Sequence, residues 1–408
     1  MSAMGHDALA PRPAGPPERE APDFARLQRA FLLLGLAALV PSLIGALGEP
    51  AQFFHAYLVG YLFWAGIAIG CLGLLMLHHL VGGWWGFVTQ RVLESGARTM
   101  PVLALLFVPL LFGLSSLYQW AQPQAVAANH LLQHKAPYLN VPFFVGRALV
   151  YFLLWTGAAQ LLSKWSAAQD RSGDPALTRR LQLLSGPGLV VYGFTVTFAA
   201  VDWAMSIEPE WFSSLFGGVF LVGQGLAALA FAIVMVGLLA NRRPLAGVMS
   251  SARFHDLGNL LLAFVMLWAY LAFSQLLIIW SGNLPEEIHW YLHRMHDPWR
   301  LFAFFLIAFH FVVPFLLLLC RFTKQHARML LAVAAGLLGM RALDLFWLIT
   351  PTFHEHGFDL HWMDPLVPIG VGGIWLAAFF WQLRRQPLLP AQDPRFAGAP
   401  ETGQEAHA

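Results

Sequence analysis

The chain has 408 residues, of which 58% are hydrophobic and only 11% charged. Soluble domains carry roughly 25% charged residues, so the composition excludes an ordinary soluble domain and specifies an all-α polytopic membrane protein. A formal net charge of +2 gives no electrostatic footing for nucleic acid as a partner. The two cysteines, Cys71 and Cys320, stand alone in apolar runs and supply neither a four-thiolate iron–sulfur site nor a C-x-x-C-H haem attachment.

Residues 1–29 mix Pro, Arg and acidic groups ahead of an apolar segment that lacks a clear A-x-A cleavage site. They read as a disordered tail before a retained first helix. A spanning helix needs about 20 mostly apolar residues, and ten segments qualify: 30–48, 53–80, 101–119, 142–164, 186–206, 213–240, 257–281, 299–321, 327–350 and 366–384. The membrane domain is therefore expected over 30–386, with a second disordered tail over 387–408. The polar stretch Trp84–Ala97 carries Trp85, Val88 and Val92 at helical spacing against Thr89, Gln90, Arg91 and Glu94. It predicts a short amphipathic helix lying on the membrane surface.

All but five of the 24 Lys and Arg residues fall on one side of this arrangement. The exceptions are Lys135, Arg294 and Arg300 toward the opposite face, and Arg147 and Arg341 inside helices. By the positive-inside rule both termini are cytoplasmic, and the loops at 120–141 and 282–297 face outward. A faint repeat accompanies this topology. The fifth segment carries Asp202 and then Pro209, and the ninth carries Asp344 and then Pro351, at the same spacing. The fourth and eighth open on Pro142 and Pro298 after long outer loops. The echo predicts two four-helix bundles, 53–206 and 213–350, flanked by one helix at each end.

Ionisable groups at membrane depth are costly and point to function by default. Arg147, Asp202, Arg341 and Asp344 all fall in the outer half, and Arg341 and Asp344, three residues apart, share a helix face. That pair reads either as mutual neutralisation or as part of a site, and Asp202 and Arg147, without such a partner on their own helices, read as candidates to pair across the bundle. Tyr61 needs a partner for its hydroxyl unless it faces lipid, and His310, near mid-membrane, reads as packing or as a proton relay. The outer cap Phe273–Trp299 adds Glu287, His289 and His293, with His55 close to the same interface. On the inner side His78, His79, His255 and Asp256 would mark the other end of a proton route, or simply be solvated. These residue types, without a metal set, suit a lipophilic quinone or quinol, whose ring needs an apolar slot with a few hydrogen-bonding and proton-exchanging groups.

The segments SQLLIIWSGNLPEEIHWYLHR (274–294), AVDWAMSIEPEWFSSLFG (200–217) and FHAYLVGYLFWAGIAIGCLGLLMLHHLVGGWWG (54–86) resemble the second quinone-binding-type membrane subunit of bacterial alternative complex III, a quinol:cytochrome c oxidoreductase. The likeness runs over most of the helices and implies a distant relation to NrfD and polysulfide-reductase membrane subunits. It implies a place in the bacterial cytoplasmic membrane, in a hetero-oligomer with a homologous NrfD-like subunit, an iron–sulfur subunit and multihaem cytochrome c subunits. A quinol-linked or proton-conducting role, with menaquinone or ubiquinone as the quinone and no redox centre in this chain, would follow. The alternatives of another class are a stand-alone proton or small-anion transporter and a structural scaffold.

Overall fold

A hydrocarbon core about 30 Å thick sets the length of every crossing helix, and among the described residues nine helices meet that length and apolarity. The computed structural model describes residues 22–354, 360–390, 392, 393 and 395. It orders the chain as α1 (Phe24–Gly45), α2 (Pro50–Val81), α3 (Trp84–Ala97), α4 (Met100–Phe112), α5 (Val141–Ser172) and α6 (Pro175–Trp203). Then follow α7 (Phe216–Leu239), α8 (Ser251–Gly282), the short α9 (Pro285–Arg294), α10 (Trp299–Leu319), α11 (Ala327–Ile349) and α12 (Met363–Leu383). With the bent pair α3 and α4 counted as one crossing, the protein is an all-α polytopic membrane protein of up to ten spans.

Helices α2 to α6 pack on one another, as do α7, α8, α10 and α11, and the two groups meet chiefly along α2 and α7. These two helices are the most enclosed spans, with 89% and 83% of their apolar windows buried. Small residues permit the approach. A Cβ added at Gly70 would lie 2.3 Å from the Gln224 carbonyl oxygen, and one at Gly66 would lie 3.3 Å from Gln224 Cγ. Gly70→Val is therefore expected to force α2 and α7 apart and sharply reduce the yield of monodisperse protein in detergent, whereas Gly157→Val, at a position where a Cβ meets nothing within 4 Å, should leave that yield intact.

The flanking helices α1 and α12 pair through Gly35, whose added Cβ would sit 2.8 Å from the Ile374 backbone nitrogen. Phe24 and Phe31 of α1 stack on Phe380 of α12 at 6.1 Å and 5.5 Å between ring centroids. The start of α1 and the end of α12 thus share one end of the molecule, the terminal end; the opposite one is the loop end.

Three sequence expectations need correction. Helix α1 begins at Phe24 behind an Asp23 cap that accepts from the Ala25 and Arg26 amides, so residues 24–29 are helix, while 1–21 lie outside the described residues. Of the expected C-terminal tail, Leu388 and Asp393 are buried; its remainder from 396 also lies outside them. The largest correction concerns α3. It does not lie on a surface: every residue from Gly86 to Ala97 is buried, and α4, with 13 residues, reaches only about 20 Å at ~1.5 Å per residue. Neither suffices alone, and the two together, bent by 41° at Arg98–Thr99, are long and apolar enough for one crossing. Trp375 of α12 donates to Thr99 Oγ1 at 2.9 Å and holds that break inside the helix assembly.

Candidate functional site

The four charged residues expected in one outer cluster form two pairs in separate bundles, and among the described residues no hydrogen bond joins them. In the first bundle, Asp202 lies in the last turn of α6, fully buried. Arg147 of α5 grips it in a two-pronged contact, Nε to Oδ2 at 2.9 Å and Nη2 to Oδ1 at 2.8 Å. The Tyr151 hydroxyl donates to Oδ2 at 2.9 Å, and Arg147 Nη1 donates to the Tyr138 carbonyl at 2.9 Å. The guanidinium also lies against the rings of Tyr138 and Phe143, at 3.9 Å and 4.3 Å from their centroids. Bidentate geometry and three charge-assisted donors satisfy this carboxylate. Burial, and after it the Asp202 charge, push the Tyr138 phenol up from its ordinary value, so that group stays neutral. The arrangement is closed: it ties the loop before α5 to the end of α6.

The second bundle holds a more open set. Arg341 Nη1 donates to Asp344 Oδ2 along α11, and among the described residues that is the one hydrogen-bond partner of the Asp344 side chain. Gly223 of α7 makes room for the guanidinium, since a Cβ there would sit 2.6 Å from Arg341 Cζ. His310, 0% exposed, lies on α10 within electrostatic reach of Arg341. Among the described residues neither of its ring nitrogens has a hydrogen-bond partner, and its ring rests 4.1 Å from that of Trp268 on α8. The backbone departs from α-helix here into a π turn, Ile307–Val312. Pro314 explains it locally: it has no N–H to offer the His310 carbonyl four residues earlier, and wide turns of this kind recur at functional sites.

The other predicted residues fall into different settings. Tyr61 donates to the Leu103 carbonyl of α4 at 3.3 Å, and Tyr57 to that of Leu106 at 2.7 Å; both phenols fasten α2 to α4. His55 stacks on Phe353 with ring centroids 3.7 Å apart. Glu287, His289 and His293 are half-buried on α9. His255 meets Asn259 at 3.3 Å, Asn259 accepts from Lys324 at 2.7 Å, and Asp256 is exposed. His78 and His79 are not solvated. They are 0% and 1% exposed, among the described residues their four ring nitrogens make no well-formed hydrogen bond, and a Cβ at Gly86 would collide with His78 Nδ1 at 1.7 Å. Asp393 and Arg395 lie beside them at the terminal end. Burial pushes the Asp393 carboxyl up, but the Arg395 hydrogen bonds and charge outweigh it and hold it below its ordinary value.

Two groups escaped the sequence reading. On α3, Arg91 bonds Glu94 Oε2 at 2.7 Å, Ser166 Oγ at 3.0 Å and Asp170 of α5, while Gln90 Nε2 reaches Glu94 and Ser166 at 2.9 Å and 3.0 Å. The only signal was the polarity of Thr89–Glu94 itself. At the loop end, Arg294 is 1% exposed and its Nη2 contacts Glu208 Oε1 at 2.6 Å, the Leu348 carbonyl at 2.8 Å and Thr352 Oγ1 at 3.0 Å. It joins the segment after α6 to the end of α11, across the two bundles. No family model matches the chain, and a search of curated proteins returns no relative.

Proposed function

We propose that this protein is an integral membrane subunit of a quinol:cytochrome c oxidoreductase of the alternative complex III type, in which Asp344, Arg341 and His310 take part in proton movement coupled to quinol oxidation. The observation that carries the reading is the contrast between the bundles: one carboxylate is fully satisfied, while the other shares a single bond with its arginine near an imidazole with two unpartnered nitrogens. A buried histidine passes a proton by accepting on one nitrogen and donating from the other. Asp344, paired with Arg341 through one oxygen, keeps its other oxygen able to take up and give back a proton.

Quinol supplies electrons and protons, and the electrons leave through iron–sulfur and haem groups of other subunits. His310 is wholly enclosed, and a quinone ring needs a pocket of some hundreds of cubic ångströms, which favours proton conduction over direct ring binding for this set. Sidedness follows the charge distribution, with both termini in the cytoplasm. Purification under mild detergent tests the assignment. The chain is expected to co-purify with haem-bearing partners and quinol:cytochrome c activity; isolation as a homo-oligomer that transports protons or anions by itself would favour the transporter reading and overturn this one.

A further inference from the structure

An apolar cavity of about 390 Å³ opens sideways between α5 and α6, with α2 as its floor. Leu72, Met76, Trp155, Gly157, Pro187 and Tyr192 line it. It belongs to the half of the molecule nearer the terminal end, because Met76 lies in the second-to-last turn of α2 before Val81. Three features make it more than an imperfect seam between helices. Gly157 sits mid-helix where a Cβ would meet nothing within 4 Å, so its lack of a side chain serves no packing inside the protein and leaves the space open. Pro187 lies inside α6 and deprives the Leu183 carbonyl, at the same wall, of its helical donor. Both walls then run into cations. On α5 the lining residues Gly157 and Leu161 continue at helical spacing to Lys164, and on α6 Leu184 and Leu183 lead back to Arg180. Lys164 and Arg180 are exposed.

We propose that this groove is a binding site for an anionic glycerophospholipid, with one acyl chain in the cavity and the phosphate between Lys164 and Arg180. The charge at the mouth decides the occupant. Two cations at the end of an apolar slot add attraction for a phosphate, whereas a neutral quinone ring gains little from them. The site lies on the first bundle and is independent of the His310 set.

Native mass spectrometry of the full-length chain titrated with phosphatidylglycerol or phosphatidylcholine tests it. The wild type is expected to retain one phosphatidylglycerol with a preference over phosphatidylcholine on the order of tenfold. Gly157→Phe should fill the slot and reduce that retention to the level of bulk detergent-exchangeable lipid. Lys164→Gln with Arg180→Gln, both on exposed positions that leave folding undisturbed, should erase the headgroup preference. Equal retention by wild type and Gly157→Phe, an unchanged preference in the double variant, or a quinone held in place of lipid would each overturn the proposal.

Discussion

Arg294→Met is expected to cost about 3 kcal/mol of stability, near the lower end of what breaking a buried ion pair costs, because Glu208 keeps some exposure at 15%. The guanidinium touches Glu208, Thr352, the Leu348 carbonyl and the Trp290 ring, 3.8 Å below it. Burial lowers its pKa, with Glu208 pulling the other way, yet a guanidinium remains ionised throughout the working range. Removing it leaves Glu208, among the described residues, with the Thr352 hydroxyl at 2.5 Å as its remaining side-chain partner and unties the segment after α6 from the end of α11. Arg294→Lys should rescue only part of the loss, since an ammonium on a flexible stem neither presents a rigid planar fork to these acceptors nor stacks on the Trp290 ring. Thermal unfolding in detergent reads both effects, and an unchanged midpoint for Arg294→Met would show that the cap does not join the bundles.

Arg147→Met should destabilise the first bundle by about 3–5 kcal/mol, because it strands a 0% exposed carboxylate and removes both of its charged donors, leaving the Tyr151 hydroxyl on Oδ2. Removing both charges together, as Arg147→Met with Asp202→Leu, is expected to recover much of that loss, since no unpaired ion then remains in the interior. Unfolding midpoints for the two single variants and the double variant complete the cycle. A double variant no more stable than Arg147→Met would mean that the pair holds the fold through its geometry and not through mutual neutralisation.

The contrast with the second bundle explains why sequence alone gathered all four charges in one outer cluster while leaving open a cross-bundle pairing of Asp202 with Arg147. Hydropathy gives depth along a helix, and Arg147, Asp202, Arg341 and Asp344 share a similar depth; it carries no information on which helix neighbours which. Spacing revealed Arg341–Asp344 because both lie on α11, three residues apart. The Arg147–Asp202 contact spans 55 residues and depended on α5 and α6 being adjacent, which short connections favour. The spans themselves were legible, because apolar runs of the required length have few other uses.

Helix α3 was misplaced for a definite reason. A polar face that pairs with buried neighbours and one that faces water look the same in a sequence window. What separates them is the Asp170 partner of Arg91, 79 residues away. Gly86 was the local hint, since it admits the His78 ring against α3, but a glycine alone does not say what approaches it. His310 followed four residues later by Pro314 carries a local signal in the sequence, since that spacing deprives the histidine carbonyl of its helical donor.

Steady-state quinol:cytochrome c turnover and proton stoichiometry of the intact complex carrying Asp344→Asn, beside His310→Phe, put the reading to its most direct trial. Loss of a positioned proton-transfer group costs about 10²-fold or more. Both variants are expected to assemble with their partners at wild-type level and to lose turnover or proton yield by that order. Fully assembled complexes with undiminished turnover and unchanged proton stoichiometry in both would contradict it.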